Sequence, residues 1–342
     1  MNDFDEGYLG SYLYDMLRMS VSVALVCRTK QIGEDGQKDA IVTYLDAYVN
    51  QIRRFVKRKD DPRTLVFDKN RTVGPIRKLL KKTEKRLASQ FLEGVTTLTS
   101  TARRFTKSDE IVPPTPDERH MLEENWPHYL KSLAESTKRP DGYFTIKDMA
   151  VKHGSGTASI GLDRYYVLIE GEGGEQALDD IVIEVKEVRA PVPAYFMPYN
   201  ESFWTYFGHQ GKRVIVTQQA MHHEADPYLG FLTMDDRDFY VRERSPYKKR
   251  LKVDKWAGTE ELLSVLDYMG RITAKLHARA DADMELGLIS YHSEDEIYRA
   301  IGPDTDAFCD YIANWAIAYA HQVEEDYALF TEWLGERQEQ RE

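Results

Sequence analysis

Residues 150–190 constrain this chain more than any other stretch. They read AVKHGSGTASIGLDRYYVLIEG, then a short turn region, then DDIVIEVKEV. Gly154, Gly156 and Gly161 sit between two apolar runs, and Lys186 falls inside a later one. Short Val-, Ile- and Tyr-rich runs bounded by Gly and Asp predict strands, so these glycines join a strand to a strand. That position argues against the dinucleotide fingerprint and the Walker loop, which both need a helix N-terminus. Two readings stay open: a phosphate-binding hairpin, or a plain β-hairpin. Lys186 bears on the choice, because a lysine inside so apolar a strand is costly to bury unless an anion meets it. Phosphate oxygens would do so, and so would a structural carboxylate. Strand alternation puts Glu184 and Lys186 on one face, with Val185 and Glu187 on the other. The alternative is an edge strand with an exposed charged face.

The rest of the chain reads as helix, then sheet, then helix. Leu13, Leu17, Val21 and Ala24 keep helical spacing from about Gly10 to Cys27. A buried helix that starts so near the first residue calls for an ordered segment ahead of it. Ile41, Tyr44, Leu45, Tyr48, Ile52 and Phe55 mark a second, amphipathic helix, broken near Pro62. A helix is predicted from about Pro75 to Phe91; its basic face (Arg77, Lys78, Lys81, Lys82, Lys85, Arg86) reads as a solvated surface. Pro113, Pro114 and Pro116 punctuate a linker before a helix through Met121, Trp126, Leu130 and Leu133. Strands are predicted at Tyr143–Ile146, Arg164–Glu170, Ile181–Val188, Arg213–Thr217 and Asp238–Glu243, forming an antiparallel sheet. Two helical stripes follow, Leu262 to Leu276 and Phe308 to Phe330, then a polar tail that frays. This order suits a two-lobed α+β protein.

Composition narrows the function. A net charge of −11 disfavours general nucleic-acid binding. The 21 tyrosines and 5 tryptophans supply burial and argue against long disorder. Two distant cysteines, Cys27 and Cys309, give neither a metal spacing nor a disulfide framework, which points to a reducing cytoplasm. The first ten residues carry acids and no basic charge, unlike a signal peptide, and the apolar run near Ser20–Cys27 is too short to span a bilayer.

A glycine loop between antiparallel strands is also the arrangement whose backbone N–H groups cover nucleotide phosphates in protein kinases. Asp3 and Asp5, in NDFDE, could hold Mg²⁺, which takes one or two carboxylates plus phosphate oxygens; by itself an acidic terminus is more often a helix-start signal. His222 and His223 are adjacent and cannot share a helix or strand face, so MHHEAD reads as a helix end or loop. Cys309 has no base beside it in sequence and is not read as a nucleophile.

Several stretches together resemble the bacterial family called domain of unknown function 2252, whose members look like relatives of protein kinases and aminoglycoside phosphotransferases. They are NDFDEGYLGSYLYDMLRMSVSV (2–23), GTASIGLDRYYVLIEG (156–171), IEVKEV (183–188), GKRVIVTQQAM (211–221), ADPYLGF (225–231), DFYVRERSPYK (238–248), GRITAKLHARA (270–280) and FCDYIANWAIAYAHQVEEDYALF (308–330). The resemblance implies a two-lobed kinase-like fold, circularly permuted, with a small antiparallel sheet lobe and a larger helical lobe. Residues 1–135 would be a helical part of the C-lobe, 136–250 the β-rich nucleotide-binding region, and 251–342 the remaining helical C-lobe segment. It implies ATP and Mg²⁺: Gly156, Ser159 and Gly161 over the phosphates, Lys186 on the α/β phosphates, and the Tyr240 and Val241 strand lining the adenine pocket. Asp3, Asp5 and Asp15 resemble the metal-site aspartates, and TAKLHARA the helix ahead of a catalytic loop. The acceptor would be an unknown small molecule or protein, with no nucleic acid or membrane partner. Two departures stand out. The family's G-D-x-H-x-x-N-F-G segment, whose Asp would act as base, lies upstream of NDFDE and outside this sequence. The expectation is therefore a truncated form, with a pseudokinase-like binding or scaffold protein as the alternative. Ala158 also stands where the loop usually has its middle glycine, and a Cβ there restricts the backbone.

Overall fold

The computed structural model describes residues 3–99, 102–137, 139–154, 161–173, 179–256, 258–284 and 287–339. Its helices and strands run, in order, α1 (Leu13–Thr29), α2 (Glu34–Val56), α3 (Gly74–Glu84), α4 (Ala88–Val95), β1 (Thr96–Leu98), β2 (Arg103–Phe105), β3 (Ile111–Val112) and α5 (Pro116–Ser132). Then come β4 (Ile146–Lys152), β5 (Arg164–Ile169), β6 (Ile181–Glu187), α6 (Glu201–Tyr206), α7 (Gln210–Met221), β7 (Gly230–Met234) and β8 (Arg237–Glu243). The last are α8 (Thr259–Arg279), α9 (Ser293–Ile301) and α10 (Thr305–Glu339). The protein is α+β, and its contacts divide into two compact units. One is Gly10–Lys81 with Arg250–Glu342; the other is Met1–Leu9 with Lys82–Lys249. No helix among the described residues is long and apolar enough to cross a membrane.

The first unit is helical. The expected stripe on α2 is its buried face: Ile41, Tyr44, Leu45, Tyr48, Ile52 and Phe55 are fully buried. They meet Leu262, Leu266, Ala274 and Ala278 of α8 in one core. α10 joins through Ile312 and through Ala313, Ala316 and Ala320, and the three small alanine side chains bring its backbone close. Arg28 on α1 fastens the group, donating to Glu324 Oε2 at 2.6 Å and to Ile317 O at 3.0 Å. The polar end expected to fray is helical to Glu339, and the next three residues lie outside the described ones.

The second unit is built on a six-stranded antiparallel sheet in the order β3-β4-β5-β6-β8-β7. α5 starts at a capping box in which Thr115 and Glu118 satisfy each other's backbone N–H groups. Its Leu122, Trp126 and Tyr129 cover one sheet face, with Val167, Ile183, Val185, Leu232, Phe239 and Val241. On the opposite face, Leu92 of α4 packs with Ala150, Tyr166, Leu168 and Val182.

Three local expectations are corrected. Arg213–Thr217 is helical, within α7, although its β-branched run predicts a strand. Tertiary packing decides it: Val214 and Ile215 join Phe4, Val188, Leu229 and Tyr240 in a core, and His209 Nδ1 accepts the Lys212 N–H as a cap. Tyr143–Ile146 is a turn up to its last residue, because Gly142 takes a φ of +90° and Tyr143 N–H returns to Pro140 O. The helix expected over Pro75–Phe91 is two helices, with extended Leu87 between them. The hairpin β1–β2 carries too few residues to show an alternation and went unforeseen.

Candidate functional site

β6 lies between β5 and β8, so it is a central strand and not an edge. Both its faces are covered, and Glu184, Lys186 and Glu187 are all buried. The predicted alternation holds. Ile183 and Val185 point into the α5 core, while Glu184 and Lys186 share the other face with their register partners Tyr166, Arg164, Arg242 and Tyr240.

The anion that meets Lys186 is a carboxylate, that of Asp5, 181 residues away in sequence. Beside it, Glu184 takes Arg242 at 2.6 Å and Arg164 at 3.4 Å. Burial alone would raise the Glu184 pKa, but the Arg242 and Arg164 guanidiniums outweigh it and hold the carboxyl below its ordinary range. The Nε of Arg164 is buried with no hydrogen-bond partner among the described residues. Tyr240 is 1% exposed, and burial first of all keeps its hydroxyl protonated. This is a dense polar patch in the middle of a sheet, richer in cations than in anions.

What holds Asp5 there is Arg213, which is 0% exposed. Its guanidinium donates to Asp5 O at 2.7 Å, to Arg189 O at 3.0 Å, to Gln210 Oε1 at 2.9 Å and to Gly7 O. Phe4 is buried against Val188, Val214 and Tyr240, and Glu6 Oε2 accepts the Val192 N–H at 2.6 Å. Residues 4–7 are thus strapped to α7 and to the end of β6. Asp3 is exposed, and the structure does not bring it into the patch.

The far arm of the glycine loop is also fixed. Glu187 Oε2 accepts the Asp163 N–H at 3.0 Å and pairs with Arg237 at 3.2 Å. Gly154 and Gly161, at the ends of the loop, take φ values of +70° and +77°, where glycine is favoured. Gly156 and Ser159, named above for the phosphates, and Ala158 lie outside the described residues. Tyr240 faces Lys186, whereas the Val241 side chain is in the α5 core and its backbone pairs with both Val185 and Gly230.

The helical unit holds a second constellation. His277 is 6% exposed and bridges Tyr48 Oη at 2.9 Å and Asp15 Oδ2 at 3.1 Å. Cys309 is buried, and that burial with Asp46 alongside pushes its thiol up to about 12, so it stays protonated. His222 caps the end of α7, as expected of a helix end. Sequence reasoning missed Arg213; an arginine heading the run RVIV was the available signal.

Near the end of β8, burial and then the charge of Asp226 push the Glu243 carboxyl up to about 7. Its native form keeps a proton that the unfolded chain has lost, so stability falls as pH rises from about 4.5 towards 7. Glu243→Gln is expected to remove this slope, a gain of roughly 2 kcal/mol near neutrality after solvent screening. Urea midpoints at about pH 5 and about pH 8 read it.

Fold and patch together define an α+β protein with a buried lysine–carboxylate contact beside a glycine hairpin. The chain belongs to a bacterial family described as uncharacterized protein conserved in bacteria (DUF2252), whose sequence profile matches residues 1–333. No curated protein and no solved structure matches it.

Proposed function

We propose that the chain is a kinase-like nucleotide-binding protein of the phosphotransferase class, permuted so that the NDFDE segment precedes the sheet. The observation that carries this reading is the contact of Lys186 with Asp5 on a buried sheet face. In kinases the lysine of the third strand meets the nucleotide phosphates, and a nearby aspartate holds the metal. The strands from the glycine loop onward follow the same course. β4, β5 and β6 form a meander with Lys186 on the third strand, and α7 then leads to the hairpin β7–β8. The Arg164 Nε, without a hydrogen-bond partner among the described residues, suits a phosphate oxygen, and Asp5 suits a hard cation.

In this reading Gly156, Ser159 and Gly161 cover the phosphates, Lys186 contacts them, and Asp5 holds Mg²⁺. Bound Mg²⁺ would neutralise charge on the phosphate oxygens. Tyr240 and the β8 backbone border the base, and the acceptor is a small molecule or protein. A second reading, binding without transfer, is favoured by α7. The helix in this place in kinases carries a glutamate that pairs with the lysine. Residues 210–221 hold no carboxylate.

Thermal melting of the full chain in ATP and Mg²⁺ tests the proposal. Ligand at about 100 times its Kd stabilises the native state by roughly 2.7 kcal/mol. The shift should vanish in Lys186→Met, which keeps the volume of the side chain. No shift at millimolar ATP, or an equal shift in the variant, contradicts the site. A shift without ATP turnover selects the second reading.

A further inference from the structure

The connection between α8 and α9 is closed at its neck. Ala282 N–H donates to Tyr291 O at 3.0 Å, and Ser293 Oγ to Ala280 O at 2.8 Å. This closure sets Asp281 beside His292, with Oδ2 and Nδ1 3.0 Å apart, and brings both next to Glu294 in the first turn of α9. One ligand atom from each of the three lies within 4.8 Å of the others. Asp281 is 5% exposed and Glu294 is 2% exposed, while half-exposed His292 opens the cluster to solvent.

Two observations point to a cation as the ligand of this cluster. Glu294 Oε1 accepts from Arg58 at 2.9 Å, but its Oε2 is buried with no hydrogen-bond partner among the described residues. A buried charged acceptor left bare is strongly unfavourable. The charges around it are also unequal. The carboxylates of Asp61, Asp281, Asp283, Glu294 and Asp295 face the guanidiniums of Arg58, Arg63 and Arg279. That surplus matches a divalent ion.

We propose that Asp281, His292 and Glu294 bind a first-row divalent cation of the zinc type. One imidazole and two carboxylates are ligands such an ion accepts, and three protein ligands leave a fourth position for water on the solvent side of His292. Ligand atoms about 2 Å from a tetrahedral zinc lie roughly 3.3 Å apart, so small side-chain rotations close the cluster. The ion would pin the start of α9 to the end of α8.

The test is calorimetric titration of the metal-stripped, nucleotide-free full chain with zinc chloride. Wild type should take up zinc stoichiometrically. Glu294→Gln and His292→Ala should each weaken Kd by at least ~10-fold, since loss of an outer-sphere partner alone costs ~10–100-fold. Half-exposed His292 can be removed without disturbing the core, so that arm remains readable if Glu294→Gln fails to fold. Absence of uptake by wild type, or uptake unchanged in His292→Ala, overturns the site. Asp5→Asn should bind zinc as wild type does; loss of uptake there instead would assign the ion to the Asp5 patch and overturn this proposal.

Discussion

Arg213→Met is expected to destabilise the protein by about 3–5 kcal/mol and to abolish any response to nucleotide. The side chain is fully buried and its guanidinium serves three backbone carbonyls, those of Asp5, Gly7 and Arg189. Methionine fills much of the space but donates nothing. Each abandoned buried acceptor costs roughly 1–3 kcal/mol, partly relieved where water can enter. Burial pushes the Arg213 pKa down to about 10, opposed by Glu6 and Asp5, so the group is still charged near neutrality. Arg213→Lys should recover only part of the loss, because an ammonium cannot span acceptors set out for a planar fork. Urea denaturation reads both variants, with the midpoint falling and the slope unchanged. The site should suffer as well as the fold, since Asp5 owes its place beside Lys186 to this strap.

Gly270→Ala is the second large effect, and its sign separates two principles. Alanine in a helix interior is favoured over glycine by about 1 kcal/mol. Propensity alone therefore predicts a more stable protein. Gly270, however, lies where α8 meets α2, and a Cβ there would come within 2.2 Å of Tyr44 O and 2.9 Å of Tyr48 N. Those are backbone atoms of a helix whose Tyr44 and Tyr48 side chains are fully buried, so the helices must part. Overpacking of this kind costs typically 1–3 kcal/mol and occasionally more; backbone atoms cannot swing aside, so a cost of about 3 kcal/mol, less the propensity gain, leaves a net loss of about 2 kcal/mol. Thermal or urea unfolding checks it; a stabilised variant would mean that the α2–α8 crossing is looser than described.

Much of the fold was legible because its signals are local. The stripes on α2 and α8 are strict 3.6-residue patterns, and the faces of β6 follow from alternation alone. The failures share a cause. The run from Arg213 to Thr217 has strand composition, but a core of residues from Phe4 to Tyr240 decides its state, and no local window contains them. For the site, sequence reasoning singled out Lys186 and Asp5 separately, one from its apolar strand and the other from an acidic cluster. Their meeting depends on Arg213, whose role appears only when α7 lies against β6 and residues 4–7. The Asp281, His292 and Glu294 group was unreadable for a similar reason. Its members become neighbours only once the α8–α9 connection is closed by Ala280, Ala282, Tyr291 and Ser293.

The central claim is that Lys186 faces nucleotide phosphates, with Asp5 beside it. An acyl-phosphate derivative of ATP tests this directly, since it transfers its acyl group to an amine held next to the bound phosphates. After labelling of the full chain and peptide mapping, the acyl group should be found on Lys186, and excess ATP with Mg²⁺ should suppress it. Labelling spread over the exposed lysines, with Lys186 unmodified or its label unaffected by ATP, would contradict the account and leave Lys186 and Asp5 as a structural ion pair.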